Sequence, residues 1–232
     1  MSSTPKPDLQ VSMPDVTKFV RQLSHDLRNH LNAAELQSAY IAELTEQPEL
    51  KEEVKRLRAM ISEVGANLQR VTSALGTARL TVMPYGAADF IEDLRQKLAA
   101  DYPDESTKIA WDVPAGDATL QIDPQLLQPA LLELFANAFR HDRAPGVIST
   151  EARIENNRFV FTIREPKRSF QLSTENWGHE PFRTIGQGHY GLGLHRARAI
   201  IEAHDGQIRA HYDSPASSLT TTVVLPLAEA AG

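Results

Sequence analysis

Apolar residues recur at three- and four-residue steps through the first third of the chain, which is the spacing of one face of a helix. The pattern predicts a long amphipathic helix from Pro14 to about Thr45. It stops at Thr45-Glu46-Gln47-Pro48, because proline lacks a backbone donor and disfavours helix at the residue before it. We therefore predict a helix followed by a turn near Pro48.

A second helical pattern follows this turn, and its apolar residues step alternately by three and four positions. This is a heptad seam made of Val54, Leu57, Ile61, Val64, Leu68, Val71 and Leu75. Two helices cannot bury both of their seams alone, so we expect a second copy of the hairpin to complete a four-helix bundle across a dimer axis. An intramolecular bundle is the alternative. Residues 14–78 are thus predicted to form a dimeric helical domain.

Helical and strand patterns alternate in the rest of the chain, after a segment over residues 76–86 that is expected to be a linker. Helices are predicted over residues 88–100, 124–140 and 191–204. Strands are predicted over residues 108–113, 119–122, 146–154, 158–164, 207–212 and 219–225. Asn156-Asn157 indicates a hairpin turn between two of these strands. We therefore predict helices packed on one mixed sheet, an α/β sandwich, over residues 87–229.

Composition narrows the class of protein. The 232 residues suffice for two modest domains, and 41% hydrophobic with 23% charged residues is typical of a soluble globular chain. No apolar run approaches the length of a membrane span, and the first fourteen residues lack the features of a signal peptide. Cysteine is absent, and the net charge of −6 gives no drive toward nucleic acid. We expect a cytoplasmic protein that binds neither membrane nor nucleic acid.

The first candidate site lies on the long first helix. Leu23 and Leu27 are each two positions from His25, which is about 200° around a helix, so leucines that face a core would turn His25 outward. Asp26 follows His25 directly, and Asn29 lies on the same face one turn later. An exposed imidazole beside an acid suits chemistry that visiting proteins perform on a histidine, although a solvated helix face has the same pattern.

A second histidine lies on the same helix. His30 falls three residues after Leu27 and one before Leu31, so we expect it to turn toward the seam, and no acid follows it. The pattern therefore favours His25 over His30 as the reactive histidine.

The predicted helix over residues 124–140 carries the second candidate site. Glu133, Asn137 and Arg140 share one face by their spacing of four and three residues. A carboxylate and an amide oxygen are hard ligands that suit Mg²⁺, and an arginine one turn further on suits a phosphate. Ordinary polar positions on a helix would give the same spacing.

Glycines precede the predicted helix near residue 191, in the stretch Gly186-Gln187-Gly188-His189-Tyr190-Gly191-Leu192-Gly193-Leu194. Glycines such as Gly188, Gly191 and Gly193 let backbone amides crowd a phosphate at a helix N-terminus, where the helix dipole favours anions. A flexible hinge is the alternative. The stretch also matches a dinucleotide pattern by letter, but a polar loop precedes it where that motif has a strand.

The predicted strand over residues 158–164 is followed by a carboxylate, Glu165. A buried acid at a strand end is able to accept a hydrogen bond from the amino group of adenine, although such an acid more often only begins a loop.

These four regions, in this order, resemble the catalytic core of sensor histidine kinases of two-component signalling. LSHDLRNHLNA resembles the phospho-acceptor box, LLELFANAFRH the asparagine box, HEPF around Phe182 the phenylalanine box, and GHYGLGL with IIEAHDGQI the second glycine box. The resemblance implies a GHKL-type ATPase fold for the second domain. It also implies that His25 is phosphorylated, that Asp26 assists it and that Asn137 coordinates magnesium, while Glu133 and Arg140 match further asparagine-box positions.

The resemblance further implies a function, two cofactors and partners. His25 would take the γ-phosphoryl group of ATP, bound with Mg²⁺, and pass it to an aspartate of a response-regulator receiver domain. Asn29 matches the position that orients a hydrolytic water in the family, so the protein is also expected to dephosphorylate its regulator. A homodimer is implied. Because no sensor segment is visible, the signal would arrive through a separate sensor protein, the N-terminal tail or sequence outside this chain.

The chain departs from the family at one motif. Where the family has an aspartate and a glycine-rich turn, its first glycine box, this chain has Arg164-Glu165-Pro166-Lys167-Arg168-Ser169. Glu165 is the aligned carboxylate, and the glycines are missing. Two alternatives to a kinase therefore stay open: a histidine phosphotransferase whose second domain does not bind ATP, and a dimeric scaffold that binds a regulator. Nucleotide binding would separate the three.

Overall fold

The computed structural model describes residues 12–76, 79–114, 116, 118–140, 143–171, 173–181 and 191–228. The chain divides after Gly76 into two compact units, a helical hairpin and an α/β domain. A helical region followed by a mixed α/β domain is the predicted fold class, and it is confirmed. Among the described helices, none combines the length and the apolar character that a membrane crossing requires.

The hairpin consists of α1 (Met13–Leu44) and α2 (Pro48–Ala74). Ser12 caps α1, because its Oγ accepts a hydrogen bond from the backbone N–H of Asp15 at 3.3 Å. A proline lies in the first turn of each helix, where its missing N–H has no intrahelical partner to lose. The turn between the helices falls at residues 45–47, next to Pro48 as predicted.

The contact between α1 and α2 uses only part of the predicted seam. The buried side chains of the hairpin are Val54 of α2 and the small polar Ser24 and Ser38 of α1. Two polar pairs join the helices at their margins. Arg28 donates to Gln69, and Arg58 pairs with Glu35 at 2.7 Å.

The hairpin by itself leaves part of the predicted seam exposed, as expected because two helices alone cannot bury both seams. Leu57 is 46% exposed and Val64 is 52% exposed, and Met60 lies beside them at the surface. Leu23 and Leu27 of α1 are exposed as well. A helix in a two-helix hairpin covers only one side of its neighbour, so the remaining apolar side chains stay in contact with solvent.

The α/β domain contains four helices and seven strands within its described residues. The helices are α3 (Ala87–Asp101), α4 (Pro103–Ser106), α5 (Pro124–Arg140) and α6 (Gly193–Ala203). The strands are β1 (Met83–Gly86), β2 (Ile109–Asp112), β3 (Thr119–Ile122), β4 (Ile148–Glu155), β5 (Arg158–Pro166), β6 (Gln207–Asp213) and β7 (Ser218–Pro226).

Five strands form a mixed sheet in the order β2-β4-β5-β7-β6. β2 runs parallel to β4, and the other neighbours are antiparallel. The predicted hairpin joins β4 to β5, and its turn residues Asn156 and Asn157 have φ of 48° and 59°, a region that asparagine tolerates well.

The expectation of a linker over residues 76–86 is wrong at its end. Met83–Gly86 forms strand β1, which pairs antiparallel with β3 as a two-stranded ribbon. Its four residues include Pro84 and Gly86, which weaken a strand prediction, and its partner lies far along the chain. The short helix α4 is a second element that the hydrophobic pattern does not predict.

Three helices cover one side of the sheet and enclose the core. α3 contributes Phe90 and Leu94, and α5 contributes Leu131 and Phe135. They meet the alternate side chains of β5, where Phe135 lies edge-on to Phe161 with ring centroids 6.3 Å apart. Burying one such side chain contributes about 1.5–3 kcal/mol, so this layer fixes the position of α5 on the sheet.

A buried histidine ties α6 to the start of α5. His204 accepts at Nε2 from the backbone N–H of Asp123 at 2.9 Å, and its Nδ1 lies 2.8 Å from the carbonyl oxygen of Ile200. Nδ1 therefore carries the proton and donates it. The carboxylate of Asp123 accepts in turn from the backbone N–H groups of Thr81 and Leu126. The imidazole of His204 and the carboxylate of Asp123 together link α6, the start of α5 and the segment at Thr81.

We predict that His204→Leu destabilises the α/β domain. The change leaves the Asp123 N–H buried without an acceptor, which costs about 1–3 kcal/mol. Both tryptophans, Trp111 and Trp177, lie in this domain, so urea unfolding followed by their fluorescence reports its stability alone. His211→Leu, at an exposed position of β6, serves as the control and should leave the midpoint unchanged. Equal midpoints for His204→Leu and the parent protein would contradict the role of this imidazole.

Candidate functional site

His25 projects into solvent from α1, with 67% of its side chain exposed. Its Nδ1 lies 3.2 Å from Oδ1 of Asp26. The hydrogen bond to His25, and then that from Gln22 to the same oxygen at 3.0 Å, lowers the pKa of Asp26 below its usual value. Asp26 is therefore an anion that favours the proton on Nδ1, which leaves the lone pair of the other ring nitrogen, Nε2, open to solvent.

The neighbours of His25 differ from expectation at one position. Asn29 lies on the exposed side one helical turn beyond His25. His30 is exposed too, so the expectation that it turns into the seam is wrong. The reason is that Ser24, and not Leu23 or Leu27, is the residue of this segment buried against α2. Exposure therefore does not distinguish the two histidines, whereas the adjacent acid does.

On α5, the face opposite the core carries the three predicted polar residues. Glu133 and Arg140 form an ion pair at 3.8 Å, and Asn137 is half-buried between them in sequence. Leu134, Phe135 and Ala138 are buried on the other side of the same turns, so the core packing fixes this polar face. The structure thus brings Glu133 and Arg140 together.

The start of α6 lies directly against this polar face. A Cβ atom at Gly193 would lie 2.1 Å from Oε1 of Glu133 and 2.4 Å from its Cδ, so a side chain there would displace that of Glu133. Gly191 has a φ of 61°, a left-handed conformation that glycine adopts without strain. Gly188 and Phe182 lie outside the described residues. Two of the three predicted glycines are therefore placed, one by close approach and one by its backbone conformation.

Glu165 lies on the helix-facing side of the sheet, following Phe161 and Ile163 at alternate positions of β5. It is 6% exposed and pairs with Lys167, which is 3% exposed, at 2.7 Å. Burial raises the pKa of Glu165 above its ordinary value, while the positive charges of Lys167 and Arg143 act in the opposite direction.

The motif comparison includes Lys167 but does not predict that it pairs with Glu165. The signal for it was present, because residues two apart on a strand point to the same side, and Lys167 follows Glu165 by two. The backbone supports the same geometry. β5 stays paired with β7 through Pro166, and the N–H of Lys167 then donates to Ser217 at 2.8 Å. Strand pairing therefore continues where the related proteins are expected to have a glycine-rich turn.

A second group of charges holds this end of β5 in place. Arg143 pairs with Glu105 and donates to the carbonyl oxygen of Gly146 at 3.2 Å, and Ala144 N–H donates to Pro166 at 3.0 Å. Burial pushes the pKa of Glu105 up, but the hydrogen bond from Arg143 and the nearby charges bring it below its usual value. The segment that carries Glu165 and Lys167 is therefore hydrogen-bonded to β7 on one edge and to Ala144 on the other.

We predict that Gly193→Ala destabilises the α/β domain by about 1–3 kcal/mol, because the new methyl group overlaps the Glu133 side chain. Glu133→Ala removes that overlap, so the double variant should lose less stability than the sum of the two single changes. Tryptophan fluorescence during urea unfolding measures all three. Gly65→Ala is the control, because Gly65 lies in the helical hairpin, where its new Cβ would be 3.9 Å from Leu31. It should not change the unfolding midpoint of the α/β domain. Strict additivity would contradict the contact.

Comparisons with known proteins relate the chain to a family of ATPases and to sensor kinases. Residues 122–229 match the family of histidine kinase-, DNA gyrase B-, and HSP90-like ATPases. The chain is 23% identical to the alginate biosynthesis sensor protein KinB of Pseudomonas aeruginosa, over 91% of this chain and 37% of that protein. It is 27% identical to the sensor histidine kinase ZraS of Salmonella typhimurium, over 81% of this chain and 41% of that protein. The chain thus spans about two fifths of the length of these relatives.

Solved structures show the same fold. The crystal structure of full-length ShkA in complex with AMPPNP matches with a TM-score of 0.70 at 19% identity, over 93% of this chain and 47% of ShkA. The histidine kinase AdeS of Acinetobacter baumannii matches with a TM-score of 0.54 at 17% identity, over 88% of this chain and 98% of that structure. Residues 122–229 therefore match the histidine kinase-, DNA gyrase B-, and HSP90-like ATPases, and the chain as a whole is similar to sensor histidine kinases.

Proposed function

We propose that the chain is a two-component histidine kinase that phosphorylates His25 from ATP and passes the phosphoryl group to an aspartate of a response-regulator receiver domain. We place this reaction in the cytoplasm, where ATP is available. The observation that carries the proposal is the exposed His25, with Asp26 at its Nδ1, on a hairpin that precedes a GHKL-type ATPase domain.

The geometry at His25 suits a nucleophile. With the proton on Nδ1 and directed at Asp26, Nε2 attacks the γ-phosphorus of ATP, an N–P bond forms, and the bond to the bridging oxygen breaks to release ADP. The ring gains positive charge as the bond forms, and the Asp26 carboxylate stabilises it. Phosphoryl transfer demands mainly position and charge neutralisation, which explains why one acid beside the imidazole suffices on this helix.

The nucleotide would occupy the α/β domain. Asn137, with an amide oxygen on the polar face of α5, would hold Mg²⁺, which neutralises phosphate charge when bound. Arg140 and the backbone around Gly188, Gly191 and Gly193 would contact phosphates. Glu133 would position this region through its contact with Gly193. Glu165 would accept a hydrogen bond from the base.

Asn29 supports a second activity on the same helix. Its amide lies one turn from His25 on the exposed side, where it would orient a water for hydrolysis of the phospho-aspartate on the bound regulator. We therefore include a response-regulator phosphatase activity in the proposal.

A relay without ATP chemistry is the second candidate. The observation that favours it is the closed Glu165–Lys167 pair, since the acid proposed to accept the base already has a buried cationic partner. In that case His25 would carry phosphate between receiver domains, and the α/β domain would serve only as a structural unit.

We predict acid-labile, alkali-stable labelling of the parent protein by γ-labelled ATP with Mg²⁺, which is the behaviour of phosphohistidine. His25→Ala should abolish the label because it removes the nucleophile. His30→Ala is the matched control, an exposed histidine on the same helix without a following acid, and it should label normally. Asn29→Ala should label normally as well but slow the loss of phosphate from the regulator.

The outcomes separate the candidates. Label on His30, or normal labelling of His25→Ala, would overturn the assignment of the nucleophile. Absence of label together with transfer of phosphate from a phosphorylated receiver domain to His25 would favour the relay.

We also propose that the hairpin forms a homodimer. Five of the apolar side chains that α1 and α2 leave exposed are called here the outer seam: Leu23, Leu27, Leu57, Met60 and Val64. A second copy of the hairpin would cover these side chains and complete a four-helix bundle. The two positions of the predicted heptad seam that the hairpin leaves exposed, Leu57 and Val64, support this assembly.

We predict that replacing Leu57 and Val64 together with aspartate converts the dimer to a monomer. Each change places a charge in an apolar interface, at a combined cost of several kcal/mol. Light scattering measures the mass, and circular dichroism should show unchanged helix content because neither residue faces α1. Lys51→Asp with Lys55→Asp is the control, since both positions are exposed and polar. An unchanged dimer after the Leu57 and Val64 changes would contradict the outer seam as the interface.

A further inference from the structure

The helix-facing side of β5 changes character at its end. Phe159, Phe161 and Ile163 are buried there as part of the core, and Glu165 and then Lys167 continue the same alternation. Both charged groups are almost fully buried and lie 2.7 Å apart. Taking a charge out of water costs several kcal/mol per ion, and the attraction between paired charges offsets that cost. Each of the two groups therefore stabilises the charge of the other in this buried position.

A carboxylate without a cation would select among purines by the group at C6. Adenine has an amino group there, which donates a hydrogen bond, whereas guanine and hypoxanthine have a carbonyl oxygen, which accepts one. A buried carboxylate binds the amino group and repels the carbonyl oxygen, because two acceptors then face each other without a proton. Selectivity for adenine would therefore rest on this repulsion as much as on the attraction.

Lys167 removes the basis of that repulsion. Its ammonium group lies in direct contact with the Glu165 carboxylate, so a base at this position meets a paired acid and cation and not a lone anion. The positive charge of Arg143 acts on Glu165 in the same sense. In a buried site such charges interact more strongly than in bulk water, because little water is present to screen them.

We propose that Lys167 relaxes the base selectivity of the nucleotide site, so that it accepts nucleoside triphosphates with a 6-oxo purine, guanine or hypoxanthine, about as well as ATP. This inference rests on the proposed function, since it assumes that the nucleotide base lies at Glu165. Lys167 acts here as a specificity-determining residue through its ion pair with that acid.

The test compares the affinities of ATP, GTP and ITP for the full chain with Mg²⁺, measured by calorimetry. For the parent protein we expect the three dissociation constants to agree within about fivefold. Lys167→Met keeps the length of the side chain and removes its charge. It should shift the ratio of ATP to GTP affinity toward ATP by about tenfold or more. Arg168→Met is the matched control, a neighbouring cation that is exposed, and it should leave the ratio unchanged.

Each result decides between the two proposals. ATP binding at least about fiftyfold tighter than GTP and ITP binding in the parent protein would overturn the inference while leaving the nucleotide site intact. An unchanged ratio of ATP to GTP affinity in Lys167→Met would also overturn the inference and leave the nucleotide site intact. Failure of all three nucleotides to bind the parent protein would overturn the nucleotide site itself and the inference with it. If Lys167→Met does not fold, Lys167→Gln, which keeps a polar group without charge, is expected to show the same shift and is judged by the same ratio.

Discussion

The packing of α5 on the sheet is the interaction on which the rest of the α/β domain depends. Phe135 lies between Trp111 and Phe161, and this contact fixes the rotation of the helix about its axis. Once that rotation is fixed, Glu133 points away from the core, and the start of α6 approaches so closely that a side chain at Gly193 would displace that of Glu133. A packing constraint in the core thus sets the geometry of the polar face.

The helical unit differs from the α/β domain, because one chain does not bury all of its apolar side chains. Polar pairs and a buried valine hold α1 to α2, while a second set of apolar side chains stays in solvent. His25 is exposed with its acid beside it, yet the leucines flanking it belong to the outer seam. In the proposed dimer, the same association that buries Leu23 and Leu27 would leave His25 at the surface, so assembly and access of the regulator are compatible.

Sequence patterns predict the long elements well and the local contacts poorly. The helix at 124–140 and the strand at 158–164 agree with the structure because each follows a sustained period. β1 was not predicted because its four residues include Pro84 and Gly86, which weaken a strand prediction, and its partner is distant. The contact of Glu133 with Gly193 is equally invisible, since it joins residues sixty positions apart. Lys167 differs from these, because the period of two along β5 already placed it beside Glu165.

The Glu165–Lys167 pair shows how a departure from a family motif can be structurally self-consistent. Where the family is expected to have an aspartate and glycines, this chain has a longer acid and a lysine, and its backbone stays paired with β7 through Pro166. A buried ion pair contributes little net stability compared with apolar residues of the same volume, so stability alone does not account for it. What the pair does change is the charge that a bound base would meet. Under the proposed function, the charge at this strand end would separate kinase from relay and set base selectivity, while the fold around it stays the same.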